Sequence, residues 1–234
     1  MPKWLIALGV AVLFLAPGCD LNDDGGNNNL DATDFPLNPL NNAQAASNAA
    51  NWTNQVVEIL RDVARVAADS NVDRLDDCLT VQEAPSSRVE MTFDECGAEQ
   101  VRSSGTVEID AIDNNTTTVE FDLLLDPVQP GVPAMNMTGT TTLTLEDVGQ
   151  ANAMVRQEGN IRLQARQSQM TLQTDLRFPV SVLDEADPNP TGTVRISTQT
   201  LARQDVVILV TVNGTNNYSV NVNGQTSTIT PGGS

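Results

Sequence analysis

Nearly all the side chains that could do chemistry in this 234-residue chain are carboxylates, because it has 30 Asp and Glu residues and no histidine. Without imidazole, Ser-His-Asp and Cys-His arrangements are excluded. Lys3 is the only lysine, so a Schiff base or a Ser-Lys dyad is excluded from the rest of the chain. Two carboxylates could still act as in glycoside hydrolases, but no pair of acids is singled out. The sequence therefore predicts a protein that is not an enzyme, with a carboxylate hydrolase as the less favoured hypothesis.

The first nineteen residues have the pattern of an export signal. Lys3 precedes an apolar run over 4–16, which is shorter than the roughly 20 residues needed to span a bilayer. The run ends in Leu15-Ala16-Pro17-Gly18-Cys19, which resembles the lipobox of bacterial lipoproteins. The resemblance implies cleavage before Cys19 and lipidation of its thiol. It also implies a body held at a membrane of the bacterial envelope, in the periplasm or on the cell surface.

The two remaining cysteines, Cys78 and Cys96, predict a disulfide, since an even pair in an exported chain is normally oxidised. Such a bond would stabilise the fold by roughly 3 kcal/mol on the chain-entropy model. A zinc site is disfavoured by the lack of histidine. The formal net charge of −18 disfavours nucleic acid as a partner, because it repels phosphate backbones.

Residues 19–42 are rich in Asp, Asn and Pro and predict a flexible acidic tether between the lipid and the body. Their spacing resembles the calcium loops of EF-hands and dockerins, with Gly25 at the sixth position. The oxygen ligands would be Asp20, Asn22, Asp24 and Asp31. Asn27 replaces the usual apolar residue, and Pro36 discourages a flanking helix. A solvated tether is therefore favoured over a calcium site, and no cofactor is predicted.

Residues 43–234 are predicted to form one domain, mainly β, as an antiparallel meander or half-barrel with one N-terminal helix packed on it. The helix is expected over 43–69, where apolar residues recur at spacings of three and four. Its stripe comprises Ala46, Ala50, Thr53, Val56, Leu60, Val63 and Ala67. Glu58 with Arg61, and Asp62 with Arg65, are expected as ion pairs on its exposed faces.

From residue 78 the hydrophobic period changes to two, which predicts half-buried strands. The residues expected to face inward are Val89, Met91, Phe93, Val107, Ile109, Val119, Phe121 and Leu123. Those expected to face solvent are Glu90, Asp94, Glu108, Asp110, Glu120 and Asp122. Further strands are predicted over 138–146, 152–157, 160–167, 169–183, 193–200, 206–213, 218–222 and 225–230, with a type I′ hairpin at Asn223-Gly224.

Two non-enzymatic hypotheses follow. The first is a lipid-anchored envelope protein that acts in binding or structural support, with the membrane as its partner through the N-terminal lipid. The second is a carrier of an apolar ligand in a helix-covered half-barrel, in which Met91, Met137, Met154 and Met170 contribute an adaptable lining. A cavity of a few hundred cubic ångströms between helix and sheet would favour the carrier, and a filled core would favour the structural module.

Overall fold

The computed structural model describes residues 42–68, 77–84, 88–96, 101–128, 133–150, 152–165, 168–180, 190–199, 205–214 and 217–230. One helix precedes eleven strands. The helix is α1 (Asn42–Ala68), and the strands are β1 (Leu79–Ala84), β2 (Arg88–Cys96), β3 (Val101–Ala111), β4 (Thr116–Pro127), β5 (Met135–Glu146), β6 (Met154–Ala165), β7 (Ser168–Pro179), β8 (Thr191–Gln199), β9 (Asp205–Asn213), β10 (Tyr218–Val222) and β11 (Gln225–Ile229).

The strands form a single open antiparallel sheet in which each strand pairs with the next one along the chain. This arrangement confirms the predicted mainly β meander with one helix packed on it. Among the described residues, β1 and β11 form the two edges and do not pair with each other. No helix in the described ranges is both long and apolar enough to cross a membrane.

The early strands face as their alternation predicts. Met91, Phe93, Val107, Ile109, Val119, Phe121 and Leu123 are buried, and Val89 is half-buried against the same core. The acidic residues between them are exposed or half-exposed on the opposite face. The register is therefore the predicted one, because a shift of one residue would bury the carboxylates and expose the core.

More residues of the helix are buried than the single apolar stripe predicted from the sequence. Beside the predicted stripe, further residues on its flanks are buried, namely Ala45, Ala49, Trp52, Val57, Ile59, Ala64 and Val66. Since the sheet coils around α1, it covers two flanks of the helix as well as the face turned toward it. The prediction that Glu58, Arg61, Asp62 and Arg65 lie on exposed faces is wrong, because all four side chains are partly buried.

Four glycines lie at inward-facing strand positions and have positive φ, namely Gly105, Gly139, Gly159 and Gly192. Gly105 lies opposite Phe93, and Gly139 lies opposite Phe121. An aromatic ring beside a strand glycine covers the space that the absent side chain leaves. These positions let the sheet curve while its inner surface stays filled.

β6 corrects one sequence prediction. Separate strands over 152–157 and 160–167 are wrong, because Met154–Ala165 is continuous through Gly159 and Asn160. A Gly-Asn pair suggests a turn, but pairing with β5 and β7 on both sides keeps this segment extended. The hairpin at Asn223-Gly224 is confirmed, and both residues have the positive φ that a type I′ turn requires.

The helix is fastened to the last strands by polar contacts. The buried hydroxyl of Tyr218 on β10 donates a hydrogen bond of 2.9 Å to Asn54 Oδ1. At the helix start, Asn42 Nδ2 donates to Gln225 Oε1 at 3.2 Å. The helix backbone comes closest to β9, β10, β11, β5 and β6, and approaches β1–β4 less closely. This asymmetry leaves room between the second half of α1 and the early strands.

Candidate functional site

A groove of about 320 Å³ lies between the second half of α1 and strands β1–β4. Its volume falls at the lower end of the range for small-molecule sites, about 300–1,000 Å³. Its lining consists of Gln55, Glu58, Ile59, Arg61 and Asp62 from the helix, and of Leu79, Phe93, Cys96, Val101, Ser103 and Leu125 from the sheet. Its lining comes from both the helix and the sheet, which makes it a candidate binding site.

The sheet supplies an apolar wall. Leu79, Phe93 and Leu125 come from β1, β2 and β4 and are at least nine-tenths buried. Val101 at the start of β3 is half-buried, and Ile59 completes the apolar surface from the helix. The strands position these residues because alternation directs every second side chain inward. The wall can bind hydrocarbon but offers it few hydrogen bonds.

The helix supplies a polar wall. Three charged residues of one helical turn line this wall. Glu58 lies three residues before Arg61 and four before Asp62, so their side chains are neighbours on the helix surface. Asp62 lies 3.4 Å from Arg65, which confirms one of the two predicted ion pairs. Asn54 Nδ2 donates to Glu58 Oε1 at 2.9 Å. The buried Nε of Arg61 has no hydrogen-bond acceptor within the described ranges, and the predicted bond with Glu58 is not formed by this atom.

The disulfide lies at the edge of the groove. Cys78 and Cys96 are joined, as predicted, with their Cα atoms 5.3 Å apart. The backbone N–H of Asp94 donates to the carbonyl of Cys78 at 3.0 Å. Ser103 Oγ donates to the carbonyl of Cys96 at 2.8 Å. These bonds tie the start of β1 and the end of β2 to β3 and hold this edge of the groove together.

The other sequence-predicted site residues lie elsewhere. Met91, Met137 and Met170 are fully buried and Met154 is half-buried, and none of the four is among the described residues that line the groove. They fill the core. Cys19 and the calcium candidates Asp20, Asn22, Asp24 and Asp31 lie outside the described residues. The sequence predicts Arg61 only as the ion-pair partner of Glu58. Its position beside a groove could not be predicted, because the spacing of charged residues in a helix does not show what packs against them.

The strand carboxylates form an acidic surface on the outer face of the sheet. Glu90, Glu108 and Glu120 lie directly opposite one another across β2, β3 and β4. Like charges in this position repel. Arg88 relieves the repulsion, with NH1 2.9 Å from Glu108 and a two-point contact to Asp110 at 2.8 and 3.1 Å. The hydrogen bond with Asp110 is also the main reason that the pKa of Arg88 is raised.

This acidic surface lies on the face of the sheet that points away from the core, and its residues do not line the groove. The described residues include no group of three or more acidic or cysteine side chains arranged to hold a metal ion. A second ion-pair group lies further along the same face, where Arg156 contacts Glu158 at 2.6 Å and Asp175 at 3.2 Å. Pairs at such exposed positions each contribute about 0–1 kcal/mol, which fits a solvated sheet face with cross-strand ion pairs.

The chain matches no protein-family model, and no curated protein or solved structure is significantly similar to it.

Proposed function

We propose that this chain is a non-enzymatic binding protein of the bacterial envelope. It is anchored to a membrane through lipid on Cys19, and it binds a small ligand with apolar character between α1 and β1–β4. The anchoring part rests on the resemblance of residues 15–19 to a lipobox. The binding part rests on the groove of about 320 Å³.

The groove favours the hypothesis of an apolar-ligand carrier, but with the ligand beside the helix and not in the centre of the half-barrel. The interior between α1 and strands β5–β10 is filled by side chains, including Leu60, Met137, Ile161 and Tyr218. A ligand would therefore not occupy the centre of the half-barrel. It would lie along the side of the helix, where Phe93 and Leu125 face the second half of α1.

Structural support is the second candidate, and the filled interior favours it. A well-packed core stabilises a single rigid shape, as a spacer or scaffold requires. The two candidates differ in whether the groove has an occupant. They share the same anchor, so measuring membrane attachment does not separate them.

Photolabelling of the purified protein in lipid nanodiscs tests the binding proposal. A neutral apolar probe, adamantane diazirine, should label the groove residues Ile59 and Phe93 more strongly than Leu124 and Leu209, which are each 43% exposed on the outer face. Fragmentation of the labelled peptides locates the label, because one strand carries residues of both faces. Val101→Phe should reduce that label, because it places a larger side chain in the groove. Val207→Phe is the matched control, since Val207 is 38% exposed on β9 and does not line the groove.

Two results would contradict the proposal. One is a label on Ile59 and Phe93 that is no stronger than the label on Leu124 and Leu209. The other is a groove label equally strong in Val101→Phe and in the wild-type protein. Either result would favour the structural hypothesis.

A further inference from the structure

The last strand of the sheet has a free edge. Within the described ranges β11 pairs with β10 alone, whereas each strand from β2 to β10 pairs on both sides. Backbone donors and acceptors alternate in direction along a strand, so half of those in β11 point away from β10. This edge could therefore accept a further strand.

The hairpin turn before β11 shows which backbone groups point outward. In the type I′ turn that follows Val222, this residue is hydrogen-bonded to Gln225. Hydrogen-bonded and non-hydrogen-bonded pairs then alternate along the hairpin, so Ser227 also bonds to β10. The N–H and C=O groups of Thr226 and Thr228 consequently point to the free edge. Both threonines are exposed.

β11 lacks the features that usually protect a sheet edge from pairing with another chain. Charged side chains, proline and bulges discourage such pairing. β11 reads Gln-Thr-Ser-Thr-Ile, with no charged residue and no proline, and its register with β10 is regular. The strand at the opposite edge, β1, carries Glu83. Of the two edges, β11 is therefore the one better suited to pairing.

The distribution of charge favours a second copy of this chain as the partner. A formal charge of −18 makes two copies repel each other over most of their surfaces. No charged side chain follows Asp205 in the sequence, so β10 and β11 are uncharged. The part of α1 over 42–57 has no charged residue either. At this end of the molecule two copies can approach with the least repulsion.

Antiparallel pairing of β11 with its own copy satisfies the outward groups. A twofold axis at Ser227 places Thr226 of each copy opposite Thr228 of the other. Each of these two pairs exchanges two backbone hydrogen bonds, and the symmetry closes both edges at once. Threonine side chains at directly opposite positions also interact favourably.

The helices leave room for this pairing. α1 approaches β10 more closely than any other strand in the described ranges. In the pair, three strand spacings of about 4.8 Å separate the two β10 strands, so the two helices lie about 14 Å apart. Helices in direct contact have axes roughly 8–10 Å apart, so the two copies of α1 do not collide.

We propose that this chain forms a homodimer in which β11 pairs antiparallel with β11 of a second copy, so that the two sheets join. The contact involves five residues of each strand, which makes it a weak association that depends on protein concentration. The dimer is independent of the proposed ligand groove, which lies beside β1–β4.

Cysteine crosslinking in intact cells that produce the full chain tests the pairing. Ser227→Cys should give a disulfide-linked dimer with copper phenanthroline as oxidant, because the axis brings the two Cα atoms to about 4.5 Å. Thr228→Cys is the matched control. Its Cα lies about 7–8 Å from that of its own copy, so it should crosslink at least about fivefold more slowly. Random collision would instead favour Thr228→Cys, because Thr228 is the more exposed of the two residues.

Removal of an outward N–H tests the hydrogen bonding. Thr228→Pro, added to Ser227→Cys, removes two of the four bonds by symmetry and should slow crosslinking about tenfold. Thr228→Val is its control, because valine keeps the N–H and the branched shape. Circular dichroism of the purified variants verifies that each is folded. Mass spectrometry of non-reduced peptides verifies that the link joins position 227 of one copy to position 227 of the other.

The outcomes decide between the dimer and other occupants of the edge. Crosslinking that is faster for Ser227→Cys than for Thr228→Cys, and is slowed by Thr228→Pro but not by Thr228→Val, supports the dimer. Equal rates at the two positions, no crosslinking, or no effect of Thr228→Pro overturns the proposed pairing. A link from position 227 to a different protein, or to another segment of the same chain, overturns it too and identifies what covers β11.

Discussion

Gly139 is one of four strand glycines, with Gly105, Gly159 and Gly192, where an added methyl group would overlap the backbone of a neighbouring strand. Its φ is +138°, a conformation that side-chain-bearing residues rarely adopt. A Cβ there would overlap the carbonyl oxygen of Asn160 and lie 3.1 Å from the Cα of Ile161. Both neighbouring atoms belong to the backbone of β6, so a rotamer change cannot relieve the contact.

The expected cost of Gly139→Ala has two parts. A residue held in a sparsely populated backbone region costs about 1–3 kcal/mol. Forcing the β5 and β6 backbones apart costs a further 1–3 kcal/mol, roughly as overpacking does. The free energy of unfolding should therefore fall by about 2–6 kcal/mol, the sum of the two parts.

Gly149→Ala is the matched control. Gly149 also has a positive φ, +80°, but among the described residues no atom beyond its chain neighbours lies within 4 Å of the position where its Cβ would be. Only the conformational cost applies there, about 1–2 kcal/mol. Both variants should be measured by urea denaturation followed by circular dichroism, with the disulfide kept oxidised. The denaturant slope should stay constant if both unfold in two states.

The difference in unfolding free energy between Gly139→Ala and Gly149→Ala tests whether the backbones of β5 and β6 are crowded at Gly139. A loss for Gly139→Ala that is about 2 kcal/mol or more beyond that for Gly149→Ala supports backbone crowding between β5 and β6. Equal losses would refute it and would mean that the strands can separate at little cost. The role of inward glycines in bending the sheet would then need another explanation.

Three further predictions concern the core, the disulfide and the anchor. Phe121→Ala should lower the free energy of unfolding by roughly 3–5 kcal/mol, because Phe121 is only 2% exposed. Glu120→Ala on the outer face should lower it by under about 0.5 kcal/mol in the same denaturation assay. Comparable losses for the two variants would contradict the predicted orientation of β4. Mass spectrometry of non-reduced peptides should find Cys78 joined to Cys96, and alkylation of both thiols without reduction would disprove the bond. Cells fed a labelled fatty acid should label the protein at Cys19, and label that persists in Cys19→Ser would exclude lipidation at this residue.

Local patterns in the sequence predict much of this fold. Alternation places Phe121 inside and Glu120 outside, because successive side chains of a strand point to opposite faces. The helix is expected over 43–69 and observed over Asn42–Ala68. Asn223-Gly224 predicts its hairpin because two consecutive residues with positive φ favour Asn and Gly. Each of these features depends on residues close together in the chain.

The curvature of the sheet is not local. Gly159 suggests a strand break in the sequence, yet in the structure it lies inside β6, held extended by hydrogen bonding to strands on both sides. The burial of both flanks of α1 follows from the same curvature. A hydrophobic period shows which face of a helix is apolar, but it does not show how far a sheet will wrap around that helix.

The groove also depends on the tertiary structure. In the sequence, Arg61 is one residue among several i,i+3 charged pairs, and Phe93 and Leu125 are ordinary core positions of separate strands. They meet because α1 packs most closely on β9–β11 and leaves space along β1–β4. The sequence alone determines the class of fold, the faces of the strands and the disulfide pairing. Only the packing of the helix on the sheet decides that the partly buried Arg61 lies beside an apolar wall, because that packing results from all the inward side chains together.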